Sequence, residues 1–141
     1  MTFGTTMGGQ WQETLDTGRG AAFSGRTFCR IHMAGEPDAP VVGEIWATSD
    51  HAVEGHAHDS DEMLYVLKGA IQVNDRKLGA NEVVFIPRGS AYRARVMSGE
   101  GAHILRIEFP GARTRDQQEE PEYDSRPWPG PLTAEGFPDL A

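Results

Sequence analysis

Between residues 26 and 110 the apolar side chains recur largely at alternate positions, in short runs broken by glycine or by Asn-Asp and Ser-Gly pairs. A period of two belongs to a strand with one buried face, and no stretch shows the spacing of an amphipathic helix. The runs are RTFCRIHM at 26–33, VVGEIWAT at 41–48, EMLYVLK at 62–68, AIQV at 70–73, EVVFIP at 82–87, AYRARVM at 91–97 and AHILRIEFP at 102–110. About seven short strands with hairpin punctuation predict an all-β sandwich or small barrel. The 17 glycines and 9 prolines suit that reading, because strands this short need many turns.

Composition removes several function classes. A net charge of −8 gives no electrostatic case for tracking a nucleic-acid backbone. No apolar run approaches the roughly 20 residues that span a bilayer. Cys29 is the sole cysteine, which excludes an intrachain disulfide and a multi-cysteine zinc site. The first ten residues carry neither a basic region nor an apolar stretch, so a cytoplasmic location is expected.

The ends differ from the middle. Residues 113–141 hold seven acids against three bases, with Pro121, Pro127, Pro129, Pro131 and Pro138. That composition reads as an extended arm, although Trp128 within it is costly to leave in water and predicts a strap onto the domain or a neighbouring subunit. The first twenty residues offer only Trp11 and Leu15 as anchors. The expected organisation is an N-terminal arm over 1–25, a barrel over 26–110 and an acidic, Pro-rich C-terminal arm over 111–141.

One segment carries chemistry: Gly55-His56-Ala57-His58-Asp59-Ser60-Asp61-Glu62. Histidines two apart on an extended chain point the same way, and Glu62 can swing back toward them at the start of the next strand. Two imidazoles and a carboxylate suit iron, or zinc with an open fourth position. A solvated loop pair of histidines would look the same in isolation.

The spacing His56-x-His58, three residues, Glu62, six residues, Gly69, followed by EVVFIP-Arg-Gly with Pro87 and Gly89, resembles the two-motif signature of the cupin superfamily over about residues 40–110. The resemblance implies a double-stranded β-helix, a jelly-roll-like barrel, and makes His56, His58 and Glu62 ligands of a divalent metal ion, whether Fe, Zn, Mn or Ni. Two positions depart from the pattern. Asn81 stands where the second motif begins with Gly, and Tyr92 stands where the family has its fourth histidine. Either Tyr92 is a weak or indirect partner, or the metal has three protein ligands, or the site is vacant.

Strand parity puts Tyr92 with Ala94 and Val96 on an inward face. It puts His103 with Leu105, Ile107 and Phe109, also read as inward, and Arg106 with Glu108 on the opposite face. His103 is then a hydrogen-bonded rim histidine, or a replacement for the missing imidazole at the metal, or, with Tyr92, a candidate catalytic group. Cys29 reads as a small buried hydrophobe, His51 as a loop histidine and His32 as part of a mixed face. Glu44 and Trp46 share a face that either walls the pocket or packs in the core.

The expected function is a metal-dependent cupin enzyme acting on a small oxygen-rich organic molecule such as an enol, diketone, phenol or hydroxy acid. It is either a non-haem iron dioxygenase or a redox-neutral isomerase, cyclase or lyase. The alternative is a non-catalytic small-ligand binding or sensing cupin. The partners expected are that small molecule and a second copy of the chain, with no nucleic acid and no membrane. The homodimer rests on Met63, Tyr65 and Leu67, which make the strand at 62–68 apolar on its outer face as well.

Overall fold

The computed structural model describes residues 1–5, 9–18, 20–34, 36–110 and 123–141. These form twelve strands: β1 (Gln12–Asp16), β2 (Phe23–Ser24), β3 (Thr27–Met33), β4 (Val41–Ala47), β5 (Ala52–His56), β6 (Glu62–Lys68), β7 (Ile71–Val73), β8 (Arg76–Leu78), β9 (Val83–Ile86), β10 (Tyr92–Val96), β11 (Ala102–Glu108) and β12 (Tyr123–Pro127). Among the described residues there is no helix. A seven-stranded sheet runs β12-β1-β3-β4-β11-β6-β9 and a five-stranded sheet runs β2-β5-β10-β7-β8, every pairing antiparallel. The two sheets face each other without closing, β9 and β8 each ending a sheet.

The space between the sheets is filled by the alternate residues that period two selects. Leu64 and Val66 of β6, Ile71 and Val73 of β7, Ile86 of β9, Val96 of β10 and Ile104 of β11 are all buried in one cluster. Their removal from water is the main force holding the sheets together. Gly69 makes the tight turn between β6 and β7 at φ +85°, where an added Cβ would sit 2.4 Å from the Gly101 carbonyl oxygen. Asn81, the departure from the motif, has φ 68°. Asparagine is among the few non-glycine residues that tolerate this left-handed region, so the exchange keeps the turn.

The terminal segments, expected to lie outside the barrel, supply strands to its sheets. β1 pairs with β3 and with β12, and β2 pairs with β5. The reason is charge as well as backbone pairing. Glu13 on β1 is buried and receives Arg26 at 2.8 Å and Arg126 of β12 at 2.9 Å.

The chain then crosses the outer face of the seven-stranded sheet. Trp128 packs edge-on against Phe28, as the strap expectation required, and Phe137 stacks on Trp46. The Trp11 indole donates to the Gly136 carbonyl oxygen at 2.8 Å. The result is a second apolar cluster of Trp11, Phe28 and Phe137, on the side of the sheet away from the barrel interior.

Candidate functional site

β5 delivers His56 and the loop after it delivers His58. β6 begins with Glu62, and β10 begins with Tyr92. His56 and Tyr92 are register partners across β5 and β10, so their rings meet with centroids 4.6 Å apart. The His56 and His58 rings lie 4.7 Å apart, edge to face. His58 Nε2 is 4.0 Å from Glu62 Oε1. The structure therefore gathers four of the five sequence-predicted residues at one end of the barrel. The loop holding them is fixed from the second motif: the Gly89 amide donates to the His58 carbonyl oxygen at 2.9 Å, and the Arg88 amide to Asp61 Oδ1 at 2.8 Å.

His103 is not among the four. Its register partner is Trp46, on the outer face, where its Nε2 reaches Glu44 Oε1 at 2.7 Å and its ring meets Phe137. The inward orientation expected of His103 and Leu105 is thus corrected. β11 turns Ala102, Ile104, Arg106 and Glu108 toward the barrel. Its other face looks apolar in sequence because the C-terminal segment covers part of it. Glu44 is the buried acid of that outer face, with Arg30 at 2.6 Å and His32 at 2.5 Å. Burial alone would raise its carboxyl, but the bonds from Arg30, His32 and His103 outweigh burial and hold it at about 2.

The correction exposes residues that parity reasoning missed. Glu62 and Glu108 are register partners, so two carboxylates face inward side by side. Like charges placed opposite each other need a cation between them. Arg106 supplies it: Nε donates to Glu62 Oε2 at 2.6 Å, and a terminal nitrogen lies 3.5 Å from Glu108 Oε2. Ser60 donates to Glu108 Oε1 at 2.6 Å, and the Tyr92 hydroxyl donates to Glu62 Oε1. A continuous polar chain therefore runs Tyr92–Glu62–Arg106–Glu108–Ser60. The signal was available as an arginine and a glutamate two apart on a strand whose partner strand starts with a glutamate.

Electrostatics follow from that chain. Burial pushes the Glu62 carboxyl up, yet the Arg106 guanidinium and the Tyr92 hydroxyl hold it below the ordinary carboxylate range. Burial and the adjoining Glu62 carboxylate push the Tyr92 phenol upward, so it stays protonated and donates. His56 Nδ1 is 2.9 Å from the Glu54 carbonyl oxygen, which can only accept. In the neutral ring this places the proton on Nδ1 and the lone pair on Nε2.

Cys29 is half-buried, and burial pushes its thiol upward. A cavity of about 320 Å³ opens between β8 and β9, lined by apolar Val73, Leu78, Val84 and Ile86, by Tyr92, and by polar Asn74, Arg76, Glu82 and Ser90. Tyr92 thus belongs both to the polar end and to the cavity.

A metal held by His56, His58 and Glu62 is what the sequence resemblance implied. The imidazole of His56 is oriented as a metal-bound histidine is, with its second nitrogen on a carbonyl. Glu62 is not placed for the same task, since both of its oxygens already accept bonds, one of them from a cation. Among the described residues no three His, Cys, Asp or Glu side chains are grouped as a metal site. As placed, the three residues do not fit an ion held by all of them.

Two antiparallel sheets facing each other around a buried core, with a polar end built from the strand order found here, define a jelly-roll-type barrel. The fold is similar to that of solved cupin-like structures. A cupin-like protein from Thermotoga maritima aligns at 17% identity over 70% of this chain and 88% of its own, with a TM-score of 0.58. The polyketide cyclase RemF from Streptomyces resistomycificus aligns at 20% identity over 77% and 88%, with a TM-score of 0.57. An acetylacetone dioxygenase from Acinetobacter johnsonii aligns at 10% identity over 62% of each chain, with a TM-score of 0.54. No protein-family model and no curated protein matches the sequence.

Proposed function

We propose that this chain is a cupin enzyme that binds a small oxygen-bearing organic molecule and moves a proton on it by redox-neutral acid–base chemistry. The observation that carries the reading is the pairing of His56 with Tyr92. An imidazole whose Nδ1 is fixed on the Glu54 carbonyl stands 4.6 Å from a phenol that walls the cavity. His56 Nε2 is the base. The Tyr92 oxygen, its own proton directed to Glu62, accepts a hydrogen bond from a substrate hydroxyl and orients the molecule. A cavity whose walls mix apolar side chains with Asn74, Arg76, Glu82 and Ser90 suits a small oxygen-bearing molecule such as an enol, a 1,3-diketone, a phenol or a hydroxy acid. The cyclase and dioxygenase among the structural neighbours fit an enzyme on this fold, without specifying the reaction.

A binding role without turnover is the second reading, favoured by the commitment of the Tyr92 proton to Glu62.

The test is to incubate the protein with a panel of 1,3-diketones and hydroxy acids in D2O and follow exchange at the acidic carbon by NMR. Exchange above buffer that is lost in His56→Ala supports the enzyme. Thermal stabilisation by a panel member without exchange supports the binding role. Uptake of dioxygen on adding a diketone to iron-loaded protein would replace both with the oxygenase. No response to any compound would count against all three.

A further inference from the structure

We propose that Arg106 is the resident cation of this site and that Glu62 is bound to it in place of a divalent metal ion. Four observations converge. Glu62 is 1% exposed, so its charge must be matched inside the protein. Its register partner Glu108 doubles the negative charge on the inward face. Arg106, diagonal to Glu62 across the strand pair and two residues before Glu108 on β11, binds Glu62 Oε2 at 2.6 Å and lies 3.5 Å from Glu108 Oε2. The other Glu62 oxygen accepts the Tyr92 hydroxyl, and Tyr92 stands where the metal-binding pattern has an imidazole.

An ion drawn to Glu62 would have to break the guanidinium bond, sit beside a fixed positive charge and lose the donor set by one imidazole. Substituting tyrosine for that imidazole and placing an arginine on the neighbouring strand are thus two halves of one change. The phenol gives the carboxylate a donor, and the guanidinium gives it a counter-charge. Arg106 is accordingly a positioning residue. It holds Glu62 in the rotamer that receives the Tyr92 hydroxyl. The inference concerns how the polar end is held together, so it stands or falls separately from the proton transfer proposed above.

The experiment loads the full chain with Zn²⁺, and in parallel with Fe²⁺ under anaerobic conditions, then measures metal retained after gel filtration. Wild type is expected to retain well under one equivalent. Arg106→Gln frees a Glu62 oxygen and removes the opposing charge, so it is expected to tighten binding at least about tenfold, a gain that a further His58→Ala change abolishes. Should Arg106→Gln not fold, adding Glu108→Gln removes the second buried negative charge and carries the same readout. One equivalent of either ion retained by wild type would overturn the proposal. A folded Arg106→Gln protein with no gain would overturn the role given to Arg106.

Discussion

Phe137 lies flat on Trp46, with ring centroids 4.3 Å apart and planes 2° from parallel. The contact joins the last residues of the chain to the outer face of β4, and the phenyl ring is 6% exposed. Phe137→Ala should lower unfolding stability by about 3–5 kcal/mol, the usual range for a buried phenylalanine. Urea unfolding followed by tryptophan emission checks this, since Trp11 and Trp46 both border the ring. A loss below about 1 kcal/mol would show that the segment rests on the sheet without stabilising it.

Acid stability should depend on Glu44. Its carboxyl is held at about 2 against an ordinary 4.5, by Arg30 and His32 on β3 and His103 on β11. Because the folded value is depressed, the stabilisation is present above pH 4.5 and is lost as pH falls toward 2. Glu44→Gln should cost on the order of 3 kcal/mol at neutral pH and flatten the decline across that window. Parallel pH profiles for the two proteins would contradict the assignment.

Tyr92→Phe removes a hydroxyl and leaves Glu62 Oε1 without that donor. A stability loss of about 1–3 kcal/mol is expected from the buried acceptor. For any compound that the protein turns over, the rate should fall at least about tenfold, equivalent to roughly 1.4 kcal/mol of transition-state stabilisation. Unchanged turnover would make the ring a packing element only.

The outer face of β6 and β9 is expected to pair two copies of the chain. Met63 stands opposite Phe85 and Tyr65 opposite Val83, with Phe85 55% exposed on an edge strand. An exposed apolar row on an unpaired edge invites association. Light scattering should give a dimer at micromolar concentration, and Phe85→Glu should give a monomer. A monomeric wild type would remove this expectation.

Much of the barrel was legible because period two is a strong signal wherever one face is buried. β6 and β10 were oriented correctly from it, with Leu64, Val66, Tyr92 and Val96 inward. β11 failed for a physical reason: it has apolar residues on both faces, and the interior side carries Arg106 and Glu108. Charge normally marks the solvent face, but here two carboxylates and a guanidinium satisfy one another inside. The sequence motif located His56, His58 and Glu62 without revealing that Glu62 was already engaged by a residue 44 positions later. Phe137 was missed because a single aromatic ring among prolines carries no periodicity.

The pairing of β1 with β12 bears on how the molecule is made. Gln12 waits for Pro127 and Asp16 for Tyr123, partners separated by more than a hundred residues. Contacts so remote are slow to form, because a long loop must close before they stabilise anything. During synthesis the barrel strands emerge well before their outer cover, leaving Trp11, Phe28 and Trp46 unshielded on a nearly complete sheet. A chain stalled or clipped before Phe137 would present that aromatic face to its neighbours. The closing segment is therefore also what ends the nascent protein's period of greatest stickiness, and chaperone dependence should concentrate on products lacking the last few residues.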